Sequence, residues 1–167
     1  MDIRQKQGGS YQNVEAVVTR FMSDSLERPR LYLLGEYIEI PPFQPSGTHP
    51  YTNPVVVLVN GSTFSAGELT TEIMKQLPQV TVVGDTTGGG GAVSSNGRPE
   101  HVGEYTLPSG KIVYIGTGYF ERYDSQLFEW NGVVPDVLVP QTGADTDQGT
   151  DKQLEFAMEW INTINNQ

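Results

Sequence analysis

The sequence predicts an α/β fold, on three adjoining observations. Val55-Val-Val-Leu-Val59 is an unbroken, mostly β-branched apolar run, the pattern of a strand buried on both faces of a mainly parallel sheet. The next segment changes period to Ala66, Leu69, Ile73 and Leu77, with Met74 beside them, and stops at Pro78, which is helical spacing followed by a helix breaker. A second β-rich run follows at residues 80–83. Strand, helix, strand is a crossover unit, for which a right-handed connection is expected.

The remaining elements are read in chain order. Val14, Val17, Val18, Phe21 and Met22 stand at i, i+3, i+4, i+7 spacing and predict a helix over residues 11–24, with Ser10 or Asn13 as its cap. Residues 30–34 and 36–40 are β-rich, the second run alternates, and Pro41-Pro42 stops it ahead of a Pro-rich loop reaching Pro54. Four glycines, Gly88 to Gly91, follow the second crossover strand. Residues 104–107 and 111–115, joined by Pro108-Ser109-Gly110, predict a hairpin. A strand is expected at residues 137–139, polar loop at 143–150, and a last helix over 151–161 carrying Leu154, Ala157, Met158 and Ile161 on one stripe.

The 167 residues suit one domain, residues 1–167, and no internal repeat breaks it. The 19 glycines and 11 prolines are scattered as punctuation between short segments rather than gathered into a linker. A net charge of −10 without any Lys/Arg cluster argues against nucleic acid or an anionic membrane as partner, since both need concentrated positive charge. Absence of cysteine removes disulfides, thiolate metal sites and a cysteine nucleophile together. The longest apolar run, Val55–Val59, is far short of the ~20 residues that cross a bilayer. His49 and His101 stand apart, so no metal-ligand spacing is present and no metal is expected. The glycine run lacks the Gly-Lys-Ser/Thr of a phosphate loop and no helix opens behind it, so no nucleotide cofactor is expected either.

Ser65 falls at the turn between the buried strand and the helix, where unpaired N–H groups and a positive dipole end favour nucleophilic chemistry. The N–H of Ala66 would face a developing oxyanion, and small residues at Ala66 and Gly67 would let a substrate approach. Ser62, Thr63 and Ser65 are equally the residue types that cap a helix. Gly88 and Gly89 fit close backbone approach by an extended peptide substrate, or a plain surface loop.

Four ordered motifs carry a resemblance. Asp2-Ile-Arg-x-x-x-Gly8-Gly9, then Pro54-Val-Val-Val-Leu-Val-Asn-Gly-Ser-Thr-Phe-Ser65-Ala-Gly-Glu68, then Val83-Gly-Asp-Thr-Thr-Gly-Gly-Gly-Gly91, then Gly132-Val-Val-Pro-Asp136 resemble the C-terminal processing (tail-specific) serine peptidases and their tricorn-core relatives. The resemblance spans nearly the whole chain and implies the crotonase/ClpP-like α/β spiral. It implies Ser65 as nucleophile, with Ala66 and one glycine of the Gly8-Gly9 pair, Gly9 by preference, as oxyanion donors. The processing-peptidase branch takes a lysine of the glycine-rich segment as general base, and here Gly90 stands in its place. Lys75 and Lys111 lie outside that segment and read as solvated surface lysines. The tricorn-like branch uses serine, histidine and an acid. Glu129, three residues before Gly132, resembles that branch's orienting glutamate, with Glu121 and Asp124 as weaker substitutes.

Neither histidine matches a family motif. In the resembling peptidases the base lies upstream of the Asp-x-Arg strand, so the expectation is a catalytic-core fragment whose histidine, and any PDZ-like domain, belong to a preceding region. Asp2 and Arg4 are assigned a structural pairing. The resemblance further implies peptide or protein substrates, no cofactor, and an extracytoplasmic setting, periplasmic or membrane-tethered; a homo-oligomer is compatible with it. The alternative is a non-catalytic binding module for peptides or hydrophobic ligands on the same scaffold. An acyl-CoA enzyme of the crotonase class would need basic phosphate-binding residues that the motifs do not supply.

Overall fold

The structure, a computed structural model, describes residues 1–47, 49–93 and 103–165. Helix α1 (Tyr11–Val18) precedes the strands β1 (Arg30–Leu33) and β2 (Glu36–Ile38). The crossover is β3 (Val55–Val59), α2 (Ala66–Met74), β4 (Val80–Gly84). Then come β5 (Ala92–Val93), β6 (Glu104–Thr106), β7 (Ile112–Tyr114), β8 (Gly118–Glu121), β9 (Val137–Leu138), α3 (Gly143–Asp147) and α4 (Lys152–Asn165).

The mixed α/β architecture is the one the sequence predicts. β3 and β4 pair in parallel from Val55 opposite Val80 to Val59 opposite Gly84, and β9 continues the sheet in the order β3-β4-β9. The first residues of the chain add to its other side: Asp2 bridges Leu58 in parallel, and Ile3 donates its N–H to Leu58 O at 3.0 Å. All five β3 residues are buried because the sheet is covered twice. Val55, Val57 and Val59 face a core shared with Ile73 and Met74 of α2 and Val14 and Val18 of α1. Val56 and Leu58 face Ala157 of α4. Alternation along the strand thus serves two apolar layers, which is why the run shows no polar beat.

A second sheet, antiparallel where its strands pair, runs in the order β2-β1-β8-β5. The β1–β2 turn has Leu34 and Gly35 both at positive φ, 51° and 84°, the geometry of a two-residue type I′ hairpin. β6 and β7 form a separate hairpin with all six strand residues exposed.

Several expectations are corrected. The first helix stops at Val18 rather than near residue 24: Thr19 Oγ1 turns back to Glu15 O at 2.7 Å, and the carbonyls of Thr19 and Arg20 accept from Ser46 and Tyr51 of the incoming loop. Met22 remains buried beyond the helix, so its place in the apolar stripe reflects burial and not helical continuation. Residues 143–150, expected as loop, hold the short helix α3, opened by Thr142 and Asp145 in a capping box. The last helix runs on to Asn165. β5 and β8 had no counterpart in the sequence reading. Lys75 is not a solvated lysine: its Nζ donates to Val134 O at 2.7 Å and pairs with Asp136 at 3.1 Å, tying the end of α2 to the segment before β9.

Arg4 is structural, as expected. Its guanidinium pairs with Asp2 at 2.7 Å and grips both oxygens of Asp151 at 2.7 and 2.8 Å, joining the start of the chain to the entry of α4. Hydrogen bonding to Arg4 holds both carboxyls below the ordinary aspartate range. Depressed folded-state values mean stability that is present above the unfolded-state pKa and lost as pH falls through the folded value. Urea midpoints should therefore decline from about pH 4 downward, and Arg4→Met should flatten that decline.

Candidate active site

The turn after β3 is fixed by its own polar side chains. Asn60 Oδ1 accepts the Ser62 N–H at 2.9 Å, and Thr63 Oγ1 accepts from Asn60 N at 3.1 Å while donating to Ile3 O at 3.0 Å. Phe64 N donates to Lys6 O at 2.8 Å. The turn is thereby bolted to the segment that carries Gly8 and Gly9. Ser65 emerges from it at φ 53°, ψ −115°, an uncommon backbone state for a residue with a side chain. Such strain is a feature of nucleophile turns that lift a serine out at a strand-to-helix junction.

Ser65, Ala66 and Gly9 line one cleft of about 670 Å³. Its other walls are mainly apolar, with Leu31, Ile38, Ile40, Leu69, Phe120 and Phe128 prominent among them. Gly8 comes closest to the serine: a Cβ there would lie 3.3 Å from Ser65 Cβ, and its φ of +146° favours glycine in any case. As the first residue of α2, Ala66 has no carbonyl within the helix to accept its N–H. The donors expected of Gly9 and Ala66 thus share the cleft with the Ser65 side chain.

Gly88 and Gly89 are placed differently from the sequence expectation. Gly88 N donates to Thr63 O at 2.9 Å and Gly89 N to Glu68 at 2.7 Å, so neither N–H is directed to a ligand, and neither residue lines the cleft. Gly91, Ala92 and Val93 line it instead. Gly90, which stands in the lysine's place, is closed off by an aromatic ring: a Cβ there would sit 1.9 Å from Phe64 Cζ.

Glu129 is half-buried, and its Oε2 accepts the N–H of the cleft residue Gly91 at 2.9 Å. The turn that presents it is closed by Asn131 N and Gly132 N donating to Phe128 O, with the Phe128 ring in the core. Arg122 secures the same turn by donating to Gly132 O at 2.5 Å. The two weaker acid candidates are engaged elsewhere, Glu121 with Arg30 and Asp124 with Arg122, each at 2.7 Å. His49 is exposed in the loop packed beyond α1 and is not among the cleft-lining residues; His101 lies outside the described residues. Among the described residues no group of three or more His, Cys, Asp or Glu could hold a metal ion, and no helix is long and apolar enough to cross a membrane.

The residue that sequence reasoning passed over is Glu68. It appeared only as the last letter of a motif, yet its carboxylate is fully buried and accepts from Ser65 N at 3.2 Å, Thr87 Oγ1 at 2.7 Å, Gly89 N at 2.7 Å and Gly90 N at 2.6 Å. Its signal was present: Ser65-x-x-Glu68 is the spacing of a capping box.

A serine raised on a strained strand-to-helix turn, with backbone donors beside it and an apolar cleft in front, is the arrangement of α/β serine hydrolases. The model of peptidase family S41 matches residues 1–139, and the chain belongs to that family. Among solved structures it is similar to a candidate peptidase of Parabacteroides merdae ATCC 43184, with 28% identity over 96% of this chain and 50% of that one and a TM-score of 0.76. It shares its fold with a photosystem II D1 C-terminal processing protease, at 23% identity, 83% and 33% coverage and a TM-score of 0.65. The tricorn protease gives 16% identity, 95% and 15% coverage and a TM-score of 0.51. The chain spans half or less of the length of each of these structures. No curated protein matches it.

Proposed function

We propose that the chain is the catalytic core of a serine peptidase that hydrolyses peptide bonds through a Ser65 acyl-enzyme. The observation that carries this reading is the convergence of Ser65, Ala66 and Gly9 on one apolar cleft. Ser65 Oγ attacks the scissile carbonyl carbon as its proton passes to a general base, and the oxyanion forms opposite the N–H groups of Ala66 and Gly9. Collapse breaks the C–N bond, and the amine leaves with the proton. Water then attacks the acyl ester by the same route in reverse, releasing the acid and restoring the serine. The base is a histidine supplied from outside the cleft-lining residues of this chain, and Glu129 orients it and stabilises the imidazolium, giving a tricorn-like Ser-His-Glu arrangement. An extended substrate adds to the edge at β5 or β2, both beside the cleft, and places an apolar side chain among Leu31, Leu69, Phe120 and Phe128. The family resemblance further supports an extracytoplasmic setting.

The test is intact-mass analysis after fluorophosphonate treatment, with the adduct located by peptide mapping. A single adduct on Ser65 supports the serine nucleophile, and its appearance only in a longer product that supplies a histidine supports the external base as well, whereas an adduct in this chain alone would overturn that base. Absence of an adduct, both in this chain and in a longer product that supplies a histidine, favours the binding-module reading, to which the apolar cleft, with no lining histidine among the described residues, also lends itself.

The apolar cleft carries its own prediction. Ile40 is half-buried on the cleft wall, so Ile40→Glu should lower the labelling rate by an apolar fluorophosphonate about 10-fold. The melting temperature should stay close to that of the parent. An unchanged rate would place the apolar group of the probe elsewhere.

A further inference from the structure

Glu68 is a carboxylate with no solvent exposure and, among the described residues, no cation as a hydrogen-bond partner. Burying such a charge is costly unless donors surround it. Here Oε1 takes Thr87 Oγ1 and Gly89 N, while Oε2 takes Gly90 N and Ser65 N. The next amide in the chain, that of Gly91, goes to the carboxylate of Glu129. Three consecutive glycine N–H groups are therefore shared between one acid on the nucleophile's helix and the acid proposed to orient the base.

A second route joins the same two acids. Thr87 Oγ1, which donates to Glu68, accepts from Val133 N at 2.7 Å, and Thr87 N donates to Val133 O at 3.1 Å. Val133 directly follows the turn that holds Glu129, so the turn is gripped from its far end as well. All four partners of Glu68 are donors to it, and only a carboxylate accepts on both oxygens. Glutamine would turn an NH₂ group toward two of them.

We propose that Glu68 is a positioning residue that sets where Glu129 stands relative to Ser65, by holding the glycine-rich loop against the nucleophile turn. The proposal deepens the serine-peptidase reading and rests on it for its catalytic meaning, though the mechanical link can be measured without catalysis. The experiment uses the full chain labelled with ¹⁵N and follows the Gly91 amide proton shift against pH, which reports Glu129 through its hydrogen bond. Amide exchange at Gly91, Val57 and Val82 and the fluorophosphonate labelling rate at Ser65 are measured on the same samples.

In Glu68→Gln, the pH response of the Gly91 shift should fall below half that of the parent, Gly91 exchange should accelerate about 10-fold, and labelling should slow about 10-fold. Protection at Val57 and Val82, in the parallel sheet, should be retained. Should Glu68→Gln fail to fold, Thr87→Val keeps the carboxylate, removes one donor and cuts the second route, and the same responses should change in the same direction. A folded variant whose Gly91 pH response and exchange match the parent overturns the proposal. Failure to label both in the parent chain and in a longer product that supplies a histidine would count against the peptidase reading alone, and the Gly91 measurements would still decide the role of Glu68.

Discussion

Replacing Gly67 by alanine should slow fluorophosphonate labelling of Ser65 by at least about 100-fold while leaving the fold intact. Inside a helix alanine is ordinarily the better residue, by about 0.8–1 kcal/mol, so a local argument forecasts a more stable protein. The surroundings decide otherwise. A Cβ on Gly67 would meet the Lys6 carbonyl oxygen at 2.6 Å, with Thr63 Cγ2 at 3.1 Å and Lys6 Cγ at 3.3 Å. That carbonyl accepts the Phe64 N–H, and its segment continues directly into Gly8 and Gly9. Helix and carbonyl cannot both stay in place, and the irregular backbone of residues 6–10 yields more easily than a helix buried on every side. The Gly9 N–H, the proposed oxyanion donor, would then leave its position by about an ångström, enough to cost two orders of magnitude. Labelling rate and melting temperature, measured together, check the prediction. A normal rate in a folded Gly67→Ala protein would mean that this segment does not set the donor geometry.

The largest loss of stability is expected from Phe43→Ala, at about 3–5 kcal/mol. Phe43 is completely buried although it lies in the Pro-rich stretch, and it is pinned there by reciprocal backbone hydrogen bonds with Leu26 at 2.8 and 3.1 Å. The Arg28 guanidinium carbon lies 3.8 Å from its ring centroid, and Tyr11 stacks at 6.2 Å. Arg28 is in turn paired with Glu15 at 2.8 Å and bonded to the Tyr11 hydroxyl at 2.6 Å. Removing the ring opens a cavity and strips one face from a nearly buried cation. The melting temperature should fall by roughly 10 °C, read by calorimetry. A drop under about 1 kcal/mol in denaturant unfolding would show that Arg28 and Tyr11 close over the space.

Phe43 also marks where the sequence stopped being legible. The crossover from β3 through α2 to β4 could be read because each part declares itself locally, by a β-branched run, a change of period and a proline. β8 could not: its four residues are fixed by pairing with Arg30 through Leu33 far upstream, and no turn signal announces that register. The end of α1 was misjudged because Met22 is buried without being helical, and periodicity reports burial only. At the site, Ser65, Ala66 and Gly9 were legible from motif order, and they do share a cleft. The inward turn of the Gly88 and Gly89 amides was not, since it depends on the Thr63 carbonyl for the first and on a carboxylate one helix turn past the serine for the second. Nor did the sequence indicate that the Phe64 ring would close off the place where a lysine at residue 90 would begin.

The strand pairings also dictate the order in which the molecule can assemble. Asp2 must wait for Leu58, Leu31 for Phe120, and Val83 for Val137, whereas Val55 and Val80 are joined through a single helix. Loop closure makes the long-range pairings slow, on the order of milliseconds to seconds for topologies of this kind. A growing chain would form the β3-α2-β4 unit first, with its serine turn already in place but the Gly8-Gly9 segment loose. The cleft would close only when Gly9 on one side and Gly91 and Phe128 on the other dock onto that nucleus, so a half-built molecule presents Ser65 without the walls around it.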